Sequence, residues 1–298
     1  MFGVYFGKYL QTSGVLSAEQ VNEILEENKT ARVKMGLLAV ESGYMTEKQA
    51  DEVNFLQQTQ DKRFGDIAVE KGYLTDAMVG ELLKKQGDPY LLFVQGLVEK
   101  GYMSLEEIQK AINAYKKASH FTSLDMDAIK SNDIDLIVQV FTKEPSIPAI
   151  IKDYIALTAR NLIRFVDNNL RIDKVERLDE ITTDYLASQA LDGDYKLLTA
   201  FAGAGEGLKV IAEAYGKEEF DTVDEDLLDA VCEFLNCNNG LFATKLSHED
   251  TDVDMLPPEM AVESKKICSE GNVFKVPFTV QGKAVSLVIC METKWAIR

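Results

Sequence analysis

Gly14, Gly43, Gly72 and Gly101 recur every 29 residues through the first part of the chain, and no other feature limits its folding as strongly. In the same frame stand Leu16, Met45, Leu74 and Met103, each followed by a hydroxyl residue: Ser17, Thr46, Thr75 and Ser104. A second glycine falls seven residues earlier at Gly7, Gly36 and Gly65, with Val94 breaking the pattern. A fixed period over four copies marks a repeat array. Each copy reads as a helix pair. The first helix ends at the glycine, whose tolerance of positive φ suits a C-cap. A two-residue apolar connection leads to the Ser or Thr that caps the second helix. Gln20, Gln49 and Glu107 stand three residues after their caps, where a capping box needs them, and only Met78 fails. Val21, Ile24 and Leu25, with Val79, Leu82 and Leu83, form the apolar stripe of the second helix. A pair this small cannot bury its own face, so the four copies are expected to stack.

The two middle copies carry a longer pattern. Lys34-Met35-Gly36-Leu37-Leu38-Ala39-Val40-Glu41-Ser42-Gly43 opens a 24-residue block ending at Gln57, and Arg63-Phe64-Gly65-Asp66-Ile67-Ala68-Val69-Glu70-Lys71-Gly72 opens another ending at Gln86, with five residues between the blocks. This resembles the MshEN domain at the N-terminus of secretion and pilus ATPases, some members of which bind cyclic di-GMP through two such motifs. The resemblance implies a nucleotide site on the middle pair, with Lys34, Gln57, Arg63 and Gln86 as its contact residues. Only Arg63 keeps the leading arginine, and lysine does not replace its planar fork. The outer copies have Tyr5 and Leu92 there, and Asn28 and Tyr115 in place of the glutamine. The other reading stays open: the repeated glycines and leucines serve helix packing, and the module docks onto a motility or secretion ATPase.

In the second half, Asp229, Glu233 and Asn236 share one helix face, since positions three and four apart are surface neighbours, while Leu228, Val231 and Leu235 take the opposite face. Pro258 follows after a gap of 21 residues. This Asp-x3-Glu-x2-Asn-x21-Pro spacing resembles the CheC/CheX/FliY family of chemotaxis phosphatases. Flanking residues agree, from Asp224-Glu225-Asp226 to Gly240 and Ala243-Thr244-Lys245-Leu246-Ser247, and the likeness covers roughly residues 147–293. It implies an enzyme that removes the phosphoryl group from the aspartate of a CheY-like receiver. Asn236 would orient the attacking water and Glu233 would pair with the receiver's lysine, with Asp229 and Pro258 in support. The protein itself needs no cofactor in this reading, because Mg²⁺ comes with the receiver. The segment 147–169 lacks a second Glu-x-x-Asn, which places the chain nearer single-site CheX than two-site CheC and implies a homodimer. Asn238 and Asn239 stand where relatives often have small residues, and are expected to alter receiver fit. A plain solvated helix face would give the same stripe. The competing function is a non-catalytic signalling scaffold that binds a receiver or cyclic di-GMP.

The remaining pattern predicts α+β architecture: an all-α helix-pair repeat domain over 1–117, a connector over 118–146, and a CheX-like α/β sandwich with β-hairpins over 147–298. A long helix is expected over 147–169, strands over 183–190 and 195–202 around an Asp-Gly turn, helices over 205–215 and 224–240, and a hairpin of 273–280 with 284–291. Within the connector a short helix is expected over 133–141, and Pro145 and Pro148 punctuate its end. Ala202-Gly203-Ala204-Gly205-Glu206-Gly207 lacks dinucleotide-loop spacing and is expected to shape a strand-to-helix turn.

The formal charge of −17, from 49 acidic and 32 basic residues, argues against a duplex or bilayer-surface partner, whose phosphates require clustered cations. No apolar run reaches membrane-spanning length, and the start of the chain lacks signal-peptide character, so a cytoplasmic protein is expected. Cys232, Cys237, Cys268 and Cys290 form no C-x-x-C pair, and with only His120 and His248 no metal site is expected. Cys232 and Cys290 read as reduced core thiols, and His120 as a surface residue.

Overall fold

The computed structural model describes residues 1–298 apart from 29, 30, 60, 61 and 292–294, and apart from the side chains of 58, 59 and 270–272. The chain divides into two units, Met1–Asn132 and Asp133–Arg298.

The first unit is all helical: α1 (Phe2–Thr12), α2 (Ala18–Glu27), α3 (Met35–Glu41), α4 (Glu47–Thr59), α5 (Phe64–Glu70), α6 (Asp76–Lys84), α7 (Pro89–Glu99), α8 (Leu105–Ala118) and α9 (Ser123–Ser131). The four periodic glycines take φ values of 73°, 71°, 72° and 67°. Each closes its helix in the same way. At Gly72, its own N–H donates to the Val69 carbonyl and the Tyr73 N–H to the Ala68 carbonyl, both at 2.9 Å, the paired bonds of a left-handed helix stop. Capping boxes form at Ser17–Gln20, Thr46–Gln49 and Ser104–Glu107, whereas Thr75 only accepts from the Met78 N–H, because methionine has no side-chain oxygen to reach back.

Within the helical unit the copies sort into an inner and an outer pair, joined through α7, whose Leu91 and Leu92 enter the core of copies two and three. Copies two and three share a core that includes Leu38, Val53, Phe64, Ile67 and Leu82. They also exchange polar contacts, Tyr44 donating to Glu81 and Tyr73 to Glu52, each at 2.7 Å. Copies one and four meet through the rings of Phe2, Phe6, Phe93 and Tyr115, and through Lys100, which reaches Glu23 and Glu27. Residue size explains the sorting: the bulky aromatics are concentrated in α1 and α7, which therefore fit each other.

Residues 118–146, expected as a connector, hold two capped helices. His120 turns left-handed at φ 54° to end α8, and Thr122 and Asp125 form the capping box of α9. Asp133 caps α10 (Ile134–Phe141) by accepting from the Asp135 and Leu136 N–H groups.

The second unit continues from α10 with α11 (Ala149–Phe165), β1 (Arg171–Ile172), β2 (Glu176–Thr183), β3 (Tyr185–Gly193), β4 (Leu197–Gly203), α12 (Glu206–Gly216), α13 (Glu225–Ser247), β5 (Val253–Met255), β6 (Glu259–Ala261), β7 (Lys265–Val280), β8 (Lys283–Met291) and β9 (Ala296–Ile297). The strands form one curled antiparallel sheet in the order β1-β7-β8-β4-β3-β5, with β2 and β9 also on β7 and β6 also on β3. The α+β class is thus observed, with the strands confined to the second unit.

Both faces of β3 and β4 are covered. Leu186, Leu198, Ala200 and Ala202 pack with Ile267, Val273 and Val288, where the β2 and β7 arm curls over the sheet. Residues of opposite parity face helices, as the 5.7 Å ring contact between Phe201 and Phe234 of α13 shows. At the β4–α12 turn, Gly207 lies so close to β8 that a Cβ would sit 2.4 Å from the Ala284 carbonyl oxygen. These glycines serve the turn. Among the described residues, no helix is long and apolar enough to cross a membrane.

Candidate functional site

Helix α13 begins where Asp224 accepts from the Leu227 N–H. Leu228, Val231 and Leu235 are fully buried, which turns Asp229, Glu233 and Asn236 outward, all exposed on one stripe. Tyr215, on α12, stands beside this stripe. Its ring packs 5.3 Å from Phe234, and burial, Cys237 and Glu233 push its hydroxyl above the usual tyrosine range.

The edge of the sheet supplies the other wall. β5 pairs with Leu191–Gly193 of β3 and β6 with Leu186–Ser188; between them the Leu256 N–H still donates to the Ala190 carbonyl at 2.9 Å, and residues 257–258 cross β3 opposite Gln189 outside the ladder. Pro258 is exposed within that crossing, and having no N–H it suits a place outside the ladder. The Leu256 carbonyl points to the Gln189 side chain, which donates to it at 2.9 Å.

Gln189 is the residue that sequence reasoning missed. It is 2% exposed and its Nε2 also donates to Asn236 Oδ1 at 2.7 Å. A carbonyl can only accept, so the Leu256 contact fixes which end of the Gln189 amide is nitrogen, and that in turn makes Oδ1 the inward atom of Asn236. Gln189 Oε1 accepts from Asn239 Nδ2 at 2.8 Å, and Asn239 Oδ1 accepts from the Tyr154 hydroxyl at 2.6 Å. Tyr154, Asn239, Gln189 and Asn236 thus form a chain of donors running one way, from α11 to the exposed stripe. Burial pushes the Tyr154 hydroxyl up to about 12. A signal existed: Gln189 is the one long polar side chain within the apolar run Leu186–Leu191.

Asn238 and Asn239, expected to alter receiver fit, lie inside the unit and not on its surface. Both are 0% exposed. Asn238 accepts from Asn161 at 2.8 Å and donates to Thr158 at 3.0 Å, and Asn239 also donates to Thr199 at 3.0 Å. With such partners on α11, β3 and β4, burying two amides costs little.

The cysteines are free thiols; Cys232 and Cys290 are buried, and burial pushes them up to about 11 and about 12. Among the described residues no acidic, histidine or cysteine cluster could hold a metal ion.

In the first unit, two of the nucleotide-motif residues, Lys34 and Gln86, are neighbours. The Val33 N–H donates to the Gln86 carbonyl at 3.0 Å, which sets Gln86 beside Lys34. Lys34 pairs with Glu99 at 2.5 Å, and its N–H donates to Gln95, a mostly buried residue that sequence reasoning also missed. Gln57 and Arg63 are exposed; Arg63 precedes α5 as Lys34 precedes α3. Residues 60 and 61 of the expected five-residue spacer lie outside the described residues.

Residues 185–279, which include Glu233, Asn236 and Pro258, match the family model described as chemotaxis phosphatase CheX. The CheY-P phosphatase CheX of Thermotoga maritima is 36% identical over 74 residues, 24% of this chain and 48% of that protein, so the chain spans about half the length of this curated relative. Two solved structures are similar: a chemotaxis protein CheX from Desulfovibrio desulfuricans (17% identity, 49% of this chain and 100% of that one, TM-score 0.41) and the CheX-CheY-BeF3-Mg complex from Borrelia burgdorferi (18%, 48% and 97%, TM-score 0.41). The second unit is therefore similar to the CheX chemotaxis phosphatases over residues 185–279.

Proposed function

We propose that the second unit hydrolyses the aspartyl phosphate of a CheY-like receiver. The observation that carries this reading is the exposed Glu233–Asn236 pair on α13, with the carboxamide of Asn236 held from beneath, inside the segment that matches CheX. Aspartyl phosphate is already a reactive mixed anhydride. What a partner protein adds is a water held in line with phosphorus, which is mainly a positioning effect. A carboxamide suits this role because it both accepts and donates without titrating. Asn236 Oδ1 keeps one lone pair for the water, and Nδ2 is left to donate to a phosphoryl oxygen. Glu233, one turn back, pairs with the receiver's lysine and sets the docking angle through a charge-assisted bond.

The test is the lifetime of the phosphoryl group on a CheY-like receiver with the full chain added. The wild-type protein shortens it, and Asn236→Ala abolishes at least about a hundredfold of the acceleration, as loss of one oriented polar group does in other active sites. If neither protein changes the lifetime, the second unit is no phosphatase for that receiver class and the scaffold reading takes its place.

The first unit serves as a docking or regulatory module in this reading. Calorimetry of the full chain with cyclic di-GMP, with Arg63→Ala as control, separates the two: heat that the variant loses assigns a nucleotide role, and its absence at tens of micromolar ligand favours docking.

A further inference from the structure

We infer that Gln189 is a positioning residue for Asn236, setting which end of its carboxamide faces the reacting group; this rests on the phosphatase reading of the same site. An exposed asparagine has two amide orientations of similar energy in water, and only one presents Nδ2 outward. Here the choice is made from below. Gln189 Nε2 lies 2.7 Å from Asn236 Oδ1 and 2.9 Å from the Leu256 carbonyl, so one nitrogen bridges the motif helix and the crossing segment that carries Pro258. Gln189 itself cannot turn over. Flipping its amide would set Oε1 against the Leu256 carbonyl and Nε2 against Asn239 Nδ2, two repulsive contacts in place of two hydrogen bonds. Asn239 is locked in turn by Tyr154 and Thr199. The orientation of the exposed amide is therefore inherited from a buried chain whose members polarise one another in the same direction. Gln189 is 2% exposed and stays behind Asn236, which makes its role indirect.

The experiment is a double-substitution cycle on the full chain, read as turnover of a phosphorylated CheY-like receiver and, separately, as affinity for the receiver charged with beryllofluoride. Gln189→Glu keeps an oxygen for Asn239 but cannot donate to Asn236 while ionised; Gln189→Met removes the contact with little change of volume. Each lowers turnover at least about tenfold, the scale of a misplaced catalytic group, and leaves the affinity within about twofold. In the Asn236→Ala background neither substitution lowers turnover further. Gln189→Glu regains turnover as pH falls and its carboxyl becomes a donor, which a general loosening of the fold would not produce. Equal losses in both backgrounds, or full turnover in both variants, overturn the inference. A wild-type protein that leaves the phosphoryl lifetime unchanged removes the phosphatase reading instead. The side-chain amide of Asn236, followed by ¹⁵N NMR, then decides the orientation alone: Gln189→Met collapses the separation of its two amide protons toward that of a free asparagine, and an unchanged pair of signals overturns it.

Discussion

Each unit holds a cluster built around a tyrosine, and the two clusters differ in what surrounds them. In the first unit Glu52 accepts from Lys71 and Tyr73 at 2.9 and 2.7 Å, joining copies two and three. Its side chain and that of Lys71 are each 42% exposed, so water offers both groups a substitute for every bond. In the second unit Tyr154 and Asn239 are 0% exposed, and no water competes. A surface cluster of this kind records which copies pair but contributes little stability. The buried one is expensive to break, because each member left without its partner keeps the full cost of its burial. That cost is what allows an inner network to impose an orientation on an exposed side chain such as Asn236.

The sharpest way to break this contrast is at its centre. Asn239→Leu removes the acceptor of the Tyr154 hydroxyl and the donor to Gln189 Oε1 at once, and an expected loss of about 2–4 kcal/mol follows from the penalty for breaking a buried network. Urea unfolding read by fluorescence of Trp295, which packs on the core of the second unit, measures it. A loss under about 1 kcal/mol would mean that the network is not the tight frame its distances imply.

Tyr154→Phe removes one end of the chain and is expected to cost about 1–2 kcal/mol near neutral pH. It also carries a pH signature. The buried hydroxyl ionises only near 12, whereas in the unfolded chain it does so near 10. Between those values the unfolded state loses its proton and the folded state keeps it. Stability is intact below about pH 10 and falls as pH rises toward 12, by up to about 1.4 kcal/mol per pH unit. The phenylalanine variant lacks this component, so the difference between the two stability curves narrows through that window. Parallel curves would place the titration elsewhere. Asn236→Ala, at the exposed end of the same chain, is expected to change stability by less than about 0.5 kcal/mol while removing turnover; a large unfolding shift would reassign Asn236 to structure.

The gradient from Asn239 outward also explains what the sequence revealed. Glu233 and Asn236 were legible because helical spacing alone puts them opposite Leu228, Val231 and Leu235. The hairpins of β3 with β4 and of β7 with β8 were legible from alternation and turn residues, and the four helix stops from glycine. Gln189 was not, because its meaning depends on the chain after Leu256 leaving the β3 edge just where it sits, a contact more than 60 residues away in the chain. The burial of Asn238 and Asn239 was not legible either, because their partners on α11 and β4 are equally remote. β2 was hidden by its own surface, since Glu176, Arg177, Asp179 and Glu180 mask the apolar Leu178 and Ile181. The inner and outer pairing of the repeats depended on residue size, which a 29-residue period does not encode.

The smallest effect is expected where the comparison began. Tyr73→Phe removes a hydrogen bond whose acceptor, Glu52, keeps Lys71 and water as alternatives. The Glu52 carboxyl is held below the usual range first by Lys71 and then by Tyr73, so loss of the tyrosine hydroxyl lets it rise toward the ordinary carboxylate value. Thermal unfolding followed by circular dichroism should be indistinguishable from wild type at neutral pH, while carboxyl titration by NMR registers the change. Because a depressed carboxylate stabilises the fold only above its unfolded pKa, any difference between the proteins should shrink further as pH drops through the carboxylate range. A neutral-pH loss as large as that of Tyr154→Phe would mean that exposure does not separate the two clusters, and that the inner repeat pair is clamped from its surface.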